Sequence, residues 1–126
     1  MGVSMKGLDK QITEAMGAHG CWKQKLKEAV SRGYLRDPAE DIGREDLCNF
    51  GKWLKELSKV PEIASTSEFG AVVAAHARFH QAAGHVAKCV EKDLVDKASD
   101  LLDGQDFHRI SAALGKAMIE WRKSLQ

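Results

Sequence analysis

The 126-residue chain lacks most of the features that place a protein quickly. An excess of one charge is missing. Nineteen Lys and Arg stand against 18 Asp and Glu, a net charge of +1, so neither a nucleic-acid surface nor a membrane surface is expected. No apolar run approaches the ~20 residues of a membrane span. The N-terminus has neither the charged head nor the apolar core of a signal peptide, so a cytoplasmic protein is expected. Cysteines number three, Cys21, Cys48 and Cys89. An odd, irregularly spaced set argues against a disulfide framework and for thiols or metal ligands. There are two prolines, and neither interrupts a long helical pattern. Strand alternation, repeats, low-complexity tracts and long linkers are absent too. What remains is a single all-α domain spanning residues 1–126, with 44% hydrophobic residues to build a modest core.

Helical periodicity predicts four main helices and a short one, most simply an antiparallel bundle. The first runs from about Met5 to Ser31, with Leu8, Ile12, Ala15, Met16, His19, Trp22, Leu26 and Val30 on one face. A connection follows from Tyr34 to Gly43. Within it Asp37-Pro38-Ala39-Glu40 offers an N-cap, a proline at the first helical position and a glutamate for one short turn. The second helix covers about Arg44 to Ser58, its apolar face being Leu47, Phe50, Trp53, Leu54 and Leu57. Ser65-Thr66-Ser67-Glu68 reads as a capping box that opens a third helix reaching about Val90. A short helix is expected from Asp93 to Leu102, and Asp103-Gly104 breaks it. The last helix, about Gln105 to Leu125, carries Phe107, Leu114 and Trp121 at seven-residue spacing. That seam either fills the protein's own core or offers a face to a second copy.

The third helix carries the chemistry. Phe69, Val72, Val73, His76, Phe79, His80, Ala83, Ala87 and Val90 form one stripe at about 100° per residue. His76 and His80 are four apart, so their rings project from one face within reach of one metal ion. Two imidazoles in an apolar stripe need partners for four nitrogens, which a core rarely supplies. His19, on the apolar stripe of the first helix, is the natural third ligand, and Cys48 is the candidate fourth. Three histidines and a cysteine suit tetrahedral Zn2+. A plain helical wheel places Cys48 opposite its helix's apolar face. That conflict is resolved if the residue sits in the first turn or two, facing another helix. His85, His108, Cys21 and Cys89 fall on polar faces and read as solvated.

Three elements then carry a resemblance. His19-Gly20-Cys21-Trp22-Lys23 matches H-x-x-W-K. Leu47-Cys48-Asn49-Phe50-Gly51-Lys52-Trp53-Leu54 matches C-x-F-G-K-W-L, and His76-Ala77-Arg78-Phe79-His80 matches H-x-x-F-H. In this order and at these separations the chain resembles the chemoreceptor zinc-binding (CZB) domain, a bacterial regulatory domain found with chemoreceptors and diguanylate cyclases and sometimes alone. The resemblance implies a helical, commonly homodimeric domain whose zinc ligands are His19, Cys48, His76 and His80. It also implies a role in sensing zinc, or oxidants such as hypochlorous acid through the zinc-bound cysteine. A chemoreceptor or diguanylate cyclase module, in the same chain or another, would be its partner.

Three rival readings are open to comparison. A zinc hydrolase of the H-E-x-x-H type needs a glutamate where Ala77 stands. A di-iron or haemerythrin-like bundle needs inward carboxylates beside the histidines, and the stripes carry none. Four protein ligands leave no open position for a substrate, which favours a non-enzymatic site. A metal-free helical interaction module, its histidines merely packed, is the remaining alternative.

Overall fold

In the computed structural model of the protein, residues 7–125 are described, apart from the side chains of Ala18 and His19. They form seven helices and no strand. The helices are α1 (Leu8–Arg32), α2 (Ala39–Ile42), α3 (Asn49–Leu57), α4 (Pro61–Ala64), α5 (Ser67–Glu91), α6 (Val95–Asp103) and α7 (Gln105–Ser124). The all-α expectation holds. None of these helices is long and apolar enough to cross a membrane.

The long helix α5 is the axis of the fold: α7, α2, α6, α1 and α4 all pack on it, while α1, α6 and α7 also pack on one another. Leu8, Ile12 and Leu26 of α1 meet Phe69, Val72, Phe79, Ala83, Val86 and Val90 of α5 in the core. Phe107, Leu114, Met118 and Trp121 of α7 complete it. The seven-residue seam of α7 is therefore internal packing. α1 stops at Gly33, whose φ of 80° is left-handed and whose N–H returns to the Ala29 carbonyl at 2.9 Å.

Several boundaries differ from the periodic reading, each for a local reason. The second main helix begins at Asn49 rather than near Arg44, because the Cys48 side chain caps it. Leu47 therefore precedes the helix and is 41% exposed. Helix α5 is capped by Thr66, which accepts the Phe69 N–H at 3.3 Å, and not by Ser65. Glu68 accordingly pairs with the Ser67 hydroxyl instead of closing a box. In α2 the cap is Pro38 rather than Asp37, and the first N–H goes to the Glu91 carboxylate at 2.8 Å. Helix α4, opened by Pro61 at its first position, was not anticipated.

Two burial expectations fail. Val73 is 40% exposed because it lines an open cleft between α3 and α5 with Leu54 and Lys55. Cys89, expected in solvent, is buried, because α5 has packed neighbours on more than one side. Trp22 and Trp53 are half-buried and pack against the core.

Helix α5 meets the end of α2 without side chains. A Cβ on Gly84 of α5 would stand 2.8 Å from the Gly43 Cα at the end of α2. Gly115 in α7 has open space where its Cβ would be. Gly84→Ala should therefore lower stability by about 1–2 kcal/mol, overpacking outweighing the gain in helix propensity. Gly115→Ala should raise it by about 0.5–1 kcal/mol. Denaturant unfolding of both variants measures the contrast, and a Gly84→Ala protein of wild-type stability would mean that α2 yields freely.

Candidate metal centre

His76 and His80 are each 1% exposed, although they are polar residues on the core helix. Their rings lie 4.6 Å apart between centroids and nearly perpendicular, at 76°. Cys48 approaches from the start of α3. Its backbone is extended, with φ −81° and ψ 157°, and its Sγ accepts the Gly51 N–H at 3.3 Å. The sulfur thus sits at the positive end of a helix, where a thiolate is favoured.

From there Sγ lies 3.4 Å from Nε2 of His76 and 3.4 Å from Nε2 of His80. Zn–S near 2.3 Å and Zn–N near 2.0–2.1 Å at tetrahedral angles give an S···N edge of about 3.5 Å. The three donor atoms lie within 4.8 Å of one another and are positioned to hold one metal ion. Among the described residues this group contains no carboxylate, so the donor chemistry fits zinc and not a di-iron centre.

The imidazole of His80 is fixed from behind. Its Nδ1–H donates to the Ile42 carbonyl at 2.8 Å in a buried bond, so the lone pair sits on Nε2, facing the sulfur. Phe50 lies against His76, with centroids 4.6 Å apart. Trp22 and Phe79 stand edge-on to His80 at 5.3 and 5.7 Å. This aromatic wall dries the site and limits ring rotation.

Gly51 has a steric reason. A Cβ there would come within 1.7 Å of the Glu45 carbonyl oxygen, so only glycine lets residues 45–48 fold back over the first turn of α3. The opposite side of Cys48 meets solvent through a cleft of about 220 Å³ lined by Trp22, Asp37, Asp41, Ile42, Arg44 and Leu47.

Burial pushes the Cys48 thiol above the usual range, with the Gly51 and Phe50 N–H groups opposing part of that rise. Burial also lowers the His80 imidazole, against the opposing pull of the Ile42 carbonyl and the Glu45 charge.

Of the residues singled out in the sequence, Cys48, His76 and His80 come together. His19 belongs to α1, and its side chain lies outside the described residues. His85, His108 and Cys21 are exposed, as expected. Exposed His108 takes the Lys23 ammonium at 3.1 Å through Nδ1.

The family model of the chemoreceptor zinc-binding domain matches residues 19–87, from α1 into α5. The chain belongs to this family. No curated protein and no solved structure matches the chain. Zinc is the metal of the CZB domain, and Cys48, His76 and His80 are placed to hold it.

Sequence reasoning missed the supports of this CZB site. The Ile42 carbonyl has no sequence signature, since any residue could supply it. Gly84, a glycine deep inside a helix, was a usable signal for close approach.

Zinc uptake should release a proton from Cys48. The metal-free thiol is raised and hence protonated at neutral pH, whereas lowered His80 is already neutral. Zinc affinity should therefore rise by about tenfold per pH unit between pH 7 and 8, and Cys48→Ala should flatten that slope. Chelator competition across this range measures it. An equal slope in the variant would assign the proton to another group.

Proposed function

We propose that the protein is a non-enzymatic sensory domain in which one zinc ion is held by His19, Cys48, His76 and His80. The observation that carries the reading is the placement of Cys48 Sγ at 3.4 Å from both Nε2 atoms, the spacing of a tetrahedral zinc edge. His19 supplies the fourth ligand from α1, in keeping with the H-x-x-W-K element that starts the matched region. Four protein ligands close the coordination shell, which suits sensing and leaves no place for a substrate.

On this reading residues 1–126 form one domain, an antiparallel bundle that pairs as a homodimer in the cytoplasm. It modulates a chemoreceptor or a diguanylate cyclase, in the same chain or in another. Metal absorption spectroscopy should then report about one zinc per chain with one sulfur and three nitrogens. His76→Ala and His80→Ala should weaken binding by at least tenfold, while His85→Ala leaves it unchanged. Light scattering at micromolar concentration should give the mass of a dimer. Zinc-free protein after purification in metal-containing buffer would favour a plain interaction module.

Cys48 is the reactive group of this sensor. Zinc keeps its sulfur as a thiolate, the form that oxidants attack, and the adjoining cleft gives small oxidants a path. Oxidation to a sulfenic or sulfinic acid weakens one of four ligands and loosens the start of α3 from α5. Sub-stoichiometric hypochlorous acid on the zinc-loaded protein should modify Cys48 first and release zinc. Modification of Cys21 or Cys89 with zinc retained would make Cys48 an anchor alone.

A further inference from the structure

The short helix α2 has a role that its length conceals. Four residues cannot hold a helix in water, since nucleation is unfavourable and few bonds form. Here Pro38 and Ala39 carbonyls receive the N–H groups of Asp41, Ile42 and Gly43 at 3.0–3.1 Å. Ala39 and Ile42 are buried against α5. Both ends of α2 are fastened to that same helix. At its start the Ala39 N–H donates to Glu91 Oε2 at 2.8 Å. At its end the Ile42 carbonyl accepts His80 Nδ1–H at 2.8 Å, and Gly43 lies against Gly84.

We propose that Glu91 is a positioning residue for the metal centre, holding α2 so that the Ile42 carbonyl orients the His80 imidazole. Glu91 follows His80 by three helical turns, roughly 16 Å along α5, and touches no metal-binding atom. Its effect runs through one rigid piece of backbone: carboxylate, Ala39 N–H, α2, Ile42 carbonyl, His80 Nδ1–H. Partners that orient a ligating imidazole typically change metal affinity 10–100-fold. Glu91 acts one step further back, on the partner itself. The gap between α2 and α5 is already at backbone contact through Gly43 and Gly84. The carboxylate therefore sets the pitch of α2 about that contact rather than its distance.

The inference rests on His80 being a zinc ligand, and the experiment separates the two claims. Zinc affinity is measured by chelator competition for wild type, Glu91→Ala and Glu91→Gln, and for Glu91→Ala combined with His80→Ala or with His76→Ala. In metal-free protein, nuclear magnetic resonance follows exchange of the His80 Nδ1–H with water. Glu91→Ala should weaken zinc binding about tenfold or more. Glu91→Gln, which keeps an oxygen acceptor, should stay close to wild type. Adding Glu91→Ala should cost nothing further in the His80→Ala background but its full effect beside His76→Ala, because coupling between sites this far apart needs a physical link. Exchange at His80 Nδ1 should quicken in metal-free Glu91→Ala. If that variant does not fold, Glu91→Asp, which withdraws the oxygens by one methylene, carries the same expectations.

Wild-type affinity in Glu91→Ala, an equal loss in both histidine backgrounds, or unchanged Nδ1 exchange would each overturn the proposal. Failure of the wild-type protein to bind zinc would strike the reading of the site instead. The exchange measurement would then decide on Glu91 alone.

Discussion

The structure turns on one imidazole, that of His80, which is gripped at both nitrogens. A ring buried in an apolar stripe is tolerated only if each nitrogen finds a partner. Nδ1–H meets the Ile42 carbonyl and Nε2 faces the Cys48 sulfur. The first contact requires α2 to lie flat on α5. The second requires α3 to start with its positive end toward the same point. The connections between α1 and α5 are shaped by these two demands: Gly84 permits one, and Gly51 permits the other.

Cys48 has two duties that pull on its chemistry in different ways. As a helix cap it replaces the oxygen that serine or aspartate would offer, and sulfur is the weaker acceptor. Placed with His76 and His80 to hold a metal ion, it also offers the soft donor that those residues lack. The nine residues of α3 would not hold as an isolated helix. Phe50, Leu54 and Leu57, buried on its inner face, hold most of it in place. The sulfur caps the first turn by accepting the Gly51 N–H. A chemical event at Cys48 is thereby confined to one end of one helix.

How far this was legible in the sequence depends on what kind of constraint was at work. Periodicity located α1, α5 and α7, because long amphipathic helices repeat their signal over many turns. The pairing of His76 with His80 came from the same arithmetic. It failed near Cys48, where Arg44 to Leu47 could continue a helix in composition and no glycine or proline marks the break. The late start comes from the Cys48 cap and from the fit of Gly51 under the Glu45 carbonyl, neither of which periodicity reports. Cys89 was misplaced for a different reason. A wheel assigns one inner face, whereas α5 is surrounded by several helices. Helix α2 was legible as one short turn after Pro38, but its fastening to α5 has no local signal, and α4, opened by Pro61, was missed.

The contact between Gly43 and Gly84 has an evolutionary consequence. It is made by two α-carbons, so neither position has a side chain to exchange for a smaller one. A side chain on Gly84 would meet the Gly43 α-carbon at 2.8 Å and push α2 outward, whereas a Cβ on Gly43 would stand 3.6 Å from Gly84, an ordinary contact. Variation at Gly84 therefore has one direction available, away from this close fit. Ile42 offers no finer adjustment, since what it contributes to His80 is a carbonyl common to all amino acids. On the proposed role of Glu91, fine adjustment of the His80 ring falls instead to the outer edge of a four-residue helix.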